Sequence, residues 1–289
     1  MFKNIGLVIK GNLSLKNSRV IEELVGLIKT KSRNVYLENS STSSSIKGVE
    51  LISQELFGKK SELIIVLGGD GTFLRAAKKY YKNSKPFIGV NLGRVGFLTD
   101  ISLRNLKKDI SDVLDKKKFT EEKRDLIQAN FGNSKEVALN EVVIHSGSYA
   151  QLMRYKLSID NTFIYEQRSD GLIVATSTGS TAYALSAGGP IIHPDLKIFN
   201  IIPMFSQSLS SRPLICSNTS TIEVEIISGP RAQGFVSLDG QEDLPLAFGK
   251  TIEIKKLSRT LKIIRPINND FFSACREKLG WSIDINHKK

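Results

Sequence analysis

An apolar run, Leu63-Ile64-Ile65-Val66-Leu67, ends directly in Gly68-Gly69-Asp70-Gly71-Thr72, and this junction constrains the fold more than any other stretch of the chain. An uninterrupted apolar run of this kind reads as a strand buried on both faces, which calls for helices above and below a mainly parallel sheet. The residues that follow, 72–81, have the spacing of a helix. Open α/β sheets hold their ligands at the carboxyl ends of strands. Glycine at such a place lets the backbone approach a phosphate, and the start of the next helix offers N–H groups to an anion. Asp70 repels a phosphate, so it needs a different task, such as accepting a proton or orienting a hydroxyl. A tight strand-to-helix turn with Asp70 as N-cap is an equally open reading of the same residues.

The neighbouring sequence continues the alternation. Strands are expected at 5–9, 34–38 and 86–90, and helices at 18–29 and 49–57. A polar, serine-rich loop occupies 40–45. After the strand at 86–90 comes Asn91-Leu92-Gly93-Arg94-Val95-Gly96-Phe97-Leu98, a second glycine loop. Two such loops would flank one crevice. An amphipathic helix at 103–118, ending near the basic run Lys116-Lys117-Lys118, closes a first domain of residues 1–123. From Arg124 the pattern changes to strands, at 125–131, 136–145, 152–159, 163–167, 172–176, 199–205, 221–227, 234–238, 251–256 and 261–264. Turns at Asp160-Asn161, Ser228-Gly229-Pro230 and Asp239-Gly240 separate several of them. A helix is expected at 180–187 and another at 269–281. The expected architecture is an α/β N-terminal domain with a parallel sheet, followed by a mostly antiparallel, all-β domain over 124–268. The C-terminal helix region, 269–289, would pack back on the first domain.

The chain has 289 residues, 41 Lys and Arg against 29 Asp and Glu, and a formal net charge of +12. Such an excess suits nucleic acid or a small polyanionic substrate, but the lysines are scattered and no basic arm is present, so a solvated surface is the favoured reading. Cys216 and Cys275 lack metal or redox spacing and read as reduced thiols of a cytoplasmic protein. His145, His193 and His287 are too dispersed for a zinc site. The N-terminus lacks the pattern of a signal peptide, and no run of about 18 apolar residues suggests a membrane span.

Two common nucleotide motifs fail on spacing. Gly249-Lys250-Thr251 would need glycine where Leu244 stands, and Gly69-Asp70-Gly71 is followed by Leu74 where the dinucleotide fingerprint needs glycine. The richest remaining stretch runs from Arg168-Ser169-Asp170-Gly171 through Thr176-Ser177-Thr178-Gly179-Ser180-Thr181-Ala182-Tyr183-Ala184-Leu185-Ser186 to Gly188-Gly189-Pro190. Its hydroxyls can bind sugar or phosphate and Tyr183 can stack on a base; equally, the hydroxyls can cap a helix around a core tyrosine. Asn140-Glu141 interrupts the apolar run 137–144. An amide beside a carboxylate suits adenine and ribose hydroxyls, and a bulge or exposed face is the plainer reading. His145 reads as a strand-end histidine, and Asp239-Gly240-Gln241 first of all as a hairpin turn.

Together these residues resemble the bacterial NAD kinase family. The matching stretches are Gly68-Gly69-Asp70-Gly71-Thr72, Asn91 through Leu98, Leu139-Asn140-Glu141 and Asp170-Gly171 through Pro190. Pro203-Met204-Phe205, Ser211-Arg212-Pro213 and Asp239-Gly240-Gln241 match as well. Lipid kinases of the diacylglycerol type and phosphofructokinases use a similar first loop; the long block from Asp170 to Pro190 selects NAD kinase. Ser177 departs from the family's proline, which removes a rigidifying residue and would loosen the turn.

The resemblance implies an NAD kinase/diacylglycerol kinase-like fold and transfer of the γ-phosphoryl of ATP to the 2′-hydroxyl of the adenosine ribose of NAD. Asp70 would be the general base, with Gly68, Gly69, Gly71 and Thr72 as phosphate loop. Asn140 and Glu141 would hold adenine and ribose, and Thr181, Ala182, Tyr183, Ala184, Leu185 and Ser186 would line the adenine side. Arg168 and Asp170 would lie towards the nicotinamide, with a neighbouring subunit as one donor, and Arg168 would favour NAD over NADH. Gln241 matches a binding position, and Arg75 is either a phosphate contact or a surface residue. A divalent cation, Mg²⁺ first, would come with ATP, held by phosphates and water. The family is dimeric or tetrameric. A lipid kinase, a non-catalytic nucleotide-binding module and a nucleic-acid-binding protein are the competing readings; the first lacks a membrane-binding stretch, the second gains nothing from Asp70, and the third lacks a motif.

Overall fold

The computed structural model describes residues 2–10, 15–30, 33–38, 46–93, 96–147, 151–229, 233–267 and 270–281, with 15–17 by their backbone alone. The serine-rich stretch 40–45, Arg94, Val95, Pro230, Asn269 and 282–289 lie outside these residues. The chain forms two compact units, Met1–Lys123 with Leu261–Lys289, and Arg124–Thr260. Residues 261–268, expected in the second domain, thus belong to the first unit.

The first unit contains β1 (Asn4–Ile9), α1 (Leu15–Lys29), β2 (Asn34–Glu38), β3 (Glu50–Ile52), α2 (Gln54–Lys60), β4 (Leu63–Gly68), α3 (Asp70–Tyr80), β5 (Pro86–Asn91), β6 (Ile101–Ser102) and α4 (Leu106–Leu114). Its strands pair in parallel in the order β3-β2-β1-β4-β5. β4 is central and all six of its residues are buried, as an unbroken apolar run predicts. Alternation along the strands sends Ile5, Leu7, Leu63, Ile65, Leu67, Ile88 and Val90 to one face, packed with Ile21, Leu24 and Ile28 of α1 and Ile110 and Val113 of α4. On the other face Phe57 of α2 packs against Tyr80 of α3 with ring centres 4.8 Å apart and planes tilted by 38°, and Phe73 meets Phe87 at 5.7 Å. Helices therefore cover both faces. The expected helix at 49–57 is instead β3 followed by α2. Glu50, Leu51 and Ile52 pair with Tyr36, Leu37 and Glu38 at the sheet edge, and Ser53 then caps the helix, its Oγ accepting from the Leu56 N–H at 3.4 Å. The helix expected at 103–118 is shorter: Asn105 N–H turns back to the Ser102 carbonyl at 3.1 Å ahead of it, and Lys117 has a left-handed φ of 54° beyond it.

The second unit is formed by β7 (Phe119–Phe131, entering from the first unit), β8 (Ser134–Ala138), β9 (Glu141–His145), β10 (Met153–Ile159), β11 (Thr162–Ser169), β12 (Gly171–Thr176), α5 (Tyr183–Ser186), β13 (Ile198–Met204), β14 (Leu214–Ser217), β15 (Ile222–Ser228), β16 (Gln233–Leu238), β17 (Asp243–Ala247) and the start of β18 (Thr251–Pro266), which from Leu261 belongs to the first unit. After β18 comes α6 (Phe271–Leu279), in the first unit. One antiparallel sheet has the order β14-β13-β12-β9-β16-β17; β11-β10-β15 and the start of β18 form another antiparallel run. Their facing residues, among them Val142, Ile144, Leu172, Val174, Val224 and Ile252, make the core. The single strand expected at 136–145 is two, broken at Leu139-Asn140. The strands expected at 251–256 and 261–264 are one. The unexpected strands β14 and β17 are the two edges of their sheet, where half-exposed residues and Pro245 hide the pattern. No helix among the described residues is long and apolar enough to cross a membrane.

Candidate active site

The first constellation lies at the carboxyl end of β4. The N-cap of α3 is Gly69, which has no side chain to cap with, and Asp70 is the first helical residue. Asp70 is therefore not a cap. Its carboxylate instead receives the loop that follows β5: Phe97 N–H donates to Oδ2 at 2.7 Å, while Leu98 N–H (3.1 Å), Thr99 N–H (3.0 Å) and Thr99 Oγ1 (3.0 Å) donate to Oδ1. Asn91 steadies that hydroxyl, donating from Nδ2 to Thr99 Oγ1 at 2.9 Å. Gly96 has to be glycine for this approach, since a Cβ there would overlap the Asp70 carboxylate. Among the described residues Oδ1 thus accepts three bonds and Oδ2 one, and a carboxylate oxygen has two lone pairs, so with respect to these residues Oδ2 keeps an acceptor position. Thr72 is buried and Gly71 exposed. Arg75 is exposed and reaches Thr72 Oγ1 at 3.5 Å, the limit of a hydrogen bond.

The second constellation is built on β9. The break at Leu139-Asn140 exists because the hairpin turn after β16 plugs it. Asp239 adopts a left-handed φ of 52° and its carboxylate accepts the N–H groups of Leu139 (2.9 Å), Asn140 (2.8 Å) and Glu141 (3.2 Å). Thr176 takes the Asn140 carbonyl with its N–H at 2.8 Å. The turn expected at Asp239-Gly240 is present, and it also fixes the Asn140-Glu141 backbone.

From Glu141 the period of two puts Glu141, Val143 and His145 on the face of the sheet opposite the core. In register beside them lie Ala175, Ile173 and Gly171 of β12 on one side and Ser237 of β16, opposite Val143, on the other. A cavity of about 660 Å³ opens there, within the usual range of small-molecule sites. Of the expected binding residues, Glu141, Asp170 and Tyr183 line it. His145, Met204, Phe205, Ser237 and Asp243 also line it and were not assigned from sequence; alternation from Glu141 would have found His145. His145 Nε2 lies 3.3 Å from Asp243 Oδ1, and its ring stacks on Phe235 at 5.8 Å.

Glu141 is buried, Oε2 has no hydrogen-bond partner among the described residues, and desolvation aided by Asp239 pushes its carboxyl up to about 8. Nε2 of Gln241 is likewise buried and unpartnered. Unpaired buried polar groups are costly, and a bound hydroxyl or amide would relieve them.

The expected helix at 180–187 is a 3₁₀ turn, Thr178–Thr181, followed by α5, with the break at Ala182, whose φ of −102° and ψ of −133° are not helical. Gly179 packs so closely that a Cβ would overlap the Asn140 carbonyl. The buried hydroxyls here serve the fold. Ser180 donates to the Ser177 carbonyl at 2.8 Å, and Ser177 donates to the Leu196 carbonyl. With φ at −57°, Ser177 has the backbone a proline would impose, and its hydrogen bond ties the turn that was expected to loosen. Tyr183, Ser186 and Arg168 are exposed, Thr181, Ala182 and Leu185 half-buried, and Ala184 buried against Ile173 and Ile202. Tyr183 is thus available to a ligand and not a core residue. Among the described residues no three His, Cys, Asp or Glu side chains converge as a metal cage.

The chain matches two family models, the ATP-NAD kinase N-terminal domain over residues 13–119 and the ATP-NAD kinase C-terminal domain over residues 139–266. A protein named NAD kinase from Marinobacter nauticus is 41% identical over 293 aligned residues, covering 98% of each chain. Another from Chromohalobacter salexigens is 41% identical over 288, covering 97% of each. Among solved structures, an NAD kinase from Archaeoglobus fulgidus in complex with ATP superimposes with a TM-score of 0.72 at 29% identity, over 91% of this chain and 94% of its own. A yeast NADH kinase complexed with NADH shares the fold with a TM-score of 0.86 at 23% identity, over 99% of this chain and 90% of its own.

Proposed function

The chain belongs to the NAD kinase family and transfers the γ-phosphoryl of ATP to the 2′-hydroxyl of the adenosine ribose of NAD, and from that premise we propose how its own residues do so. Phosphoryl transfer asks a protein mainly for positioning and charge stabilisation. Asp70 Oδ2 accepts the proton of the 2′-hydroxyl as general base; the observation that carries this is the carboxylate oriented by four donors with an acceptor position left on Oδ2. Gly69 and Gly71 offer backbone N–H groups to phosphate oxygens at the start of α3, and Gly68 and Thr72, whose N–H donates to the Gly69 carbonyl at 2.9 Å, hold the shape of that phosphate loop. Arg75, exposed one turn along, reaches the same phosphates.

Asn140 and Glu141 take adenine and ribose. The unpartnered Oε2 of Glu141 and Nε2 of Gln241 support a polar ligand at these residues. The segment Thr181, Ala182, Tyr183, Ala184, Leu185 and Ser186 borders the adenine, with Tyr183 stacking on it, and Arg168 and Asp170 serve the nicotinamide end. ATP brings a divalent cation, Mg²⁺ by preference, that neutralises its phosphates; a magnesium ion that keeps several waters needs few protein ligands. The protein works in the cytoplasm as a homodimer or homotetramer, without membrane or nucleic acid.

Incubation with ATP, MgCl₂ and NAD, with NADP read by an NADP-specific dehydrogenase, tests the activity; no NADP above background overturns it. Comparing NAD and NADH as acceptors before and after Arg168→Gly tests the selectivity. Arg168 is expected to favour NAD, and an unchanged ratio removes it from that role.

A further inference from the structure

The last helix carries a lysine that no motif above includes. Nζ of Lys278, in α6, donates to the carbonyl of Gly96 and lies 4.1 Å from the centre of the Phe97 ring. The helix is held there by Phe271, whose ring meets that of Phe97 at 6.2 Å, and by Cys275, which is fully buried. The loop contacted is the one that orients Asp70. Gly96 N–H donates to the Thr99 carbonyl at 3.0 Å and closes it as a turn.

Its peptide groups are held at both ends. In the Gly96–Phe97 peptide the carbonyl takes Lys278 and the N–H takes Asp70 Oδ2. In the Phe97–Leu98 peptide the carbonyl takes Arg265 Nη2 at 2.8 Å and the N–H takes Asp70 Oδ1. A peptide is planar and trans, so its C=O and N–H point in opposite directions, and fixing one aims the other. The Gly96 carbonyl therefore sets the direction of the N–H that meets Oδ2, the oxygen that accepts a single bond among the described residues.

We propose that Lys278 is a positioning residue of the phosphoryl transfer: by holding the Gly96 carbonyl it fixes the Gly96–Phe97 peptide plane and so orients Oδ2 of Asp70. This rests on the reading of Asp70 as the base. The charged groups facing Lys278 are Asp70 at the start of α3, Asp100 after the loop, Arg265 on β18 and Glu277 on its own helix. Burial outweighs the acidic neighbours and pulls the ammonium down to about 8. The lysine thus loses its charge within the working range, and its hold on the carbonyl weakens, since charge-assisted hydrogen bonds are about twice as strong as neutral ones.

The test is kcat and KM for NAD and ATP from pH 6 to 10 for the parent, Lys278→Met, Lys278→Arg and Asp70→Asn, with Tm alongside. The parent is expected to lose kcat above a pH of about 8. Lys278→Met is expected to lose about tenfold or more in kcat with both KM values within about threefold, and to lose the alkaline limb. Lys278→Arg, whose guanidinium does not titrate in this range, is expected to keep kcat within about fivefold and to move the limb beyond a pH of about 9. A Lys278→Met kcat within about twofold of the parent at every pH overturns the proposal, and so does a loss carried by KM for ATP. If Lys278→Met fails to fold, Lys278→Arg decides: a limb that stays near 8 overturns the proposal. Lys278→Met at full activity beside inactive Asp70→Asn rejects the lysine's role and leaves the base in place. Fully active Asp70→Asn rejects the base itself.

Discussion

Asp70 accepts four hydrogen bonds from the described residues, and these decide how its substitution reads out. In Asp70→Asn an amide NH₂ replaces one acceptor oxygen and faces the N–H of Phe97 or those of Leu98 and Thr99. Donor against donor costs about 1–3 kcal/mol in addition to the lost base. We therefore expect kcat to fall by about 10²–10⁴ and Tm to drop by several degrees; unchanged kcat with a lowered Tm would make Asp70 a loop anchor alone. Glu141 gives a pH prediction. Its carboxyl rises from an ordinary value of 4.5 to about 8 in the fold. A raised value means that its contribution to stability is fully present below 4.5 and is lost as the pH rises through about 8. Glu141→Gln is isosteric and carries no charge, so its Tm should exceed the parent's at pH above 8 and converge with it at pH 5, while NAD binding weakens. A Tm difference that does not change with pH contradicts the buried, protonated state.

At the scale of elements, the start of β9 depends on the turn after β16. Asp239 satisfies three consecutive N–H groups, and an alanine there leaves them buried and unpaired. Asp239→Ala should cost about 3 kcal/mol or more and raise KM for NAD, measurable by denaturant titration and steady-state kinetics. Wild-type stability would show that water replaces the carboxylate. Gly179→Ala tests the junction between the 3₁₀ turn and β9, because its methyl overlaps the Asn140 carbonyl and must displace one of the two segments. A loss of about 1–3 kcal/mol is expected. Neither dependence was legible in sequence. Asp239-Gly240 reads as a turn from its own residues, and its partner lies about a hundred positions away. The helix expected at 180–187 failed for a related reason: Ser177 and Ser180 spend their hydroxyls on the Leu196 and Ser177 carbonyls, which tightens the first turn to a 3₁₀ form.

For the whole molecule, the two units are legible from the change of period near Arg124, because each buries its own core. The net charge of +12 fits a solvated surface, and for a kinase of ATP and NAD it also favours encounter with polyanions. We expect kcat/KM for ATP to fall several-fold between about 0.05 and 0.5 M KCl, as screening shortens to a few ångströms. No change would mean that the charge is spread too evenly to steer.

The strand-to-loop junction at Leu67-Gly68, the parallel sheet around it, the change to antiparallel strands and, through motif resemblance, the family are all legible in the residues without coordinates. These are local or periodic properties, set by the neighbours of each residue along the chain. What Asp70 does with its carboxylate depends on the folded arrangement. Its local reading allowed an N-cap, yet its donors are Phe97, Leu98 and Thr99, delivered by β5 pairing beside β4. The same arrangement decides that Asp239 plugs the break before Glu141, and that a lysine of the last helix holds the loop that orients Asp70. Hydrogen bonds between segments far apart in sequence leave no period to read. They exist only once the sheets have brought the segments together.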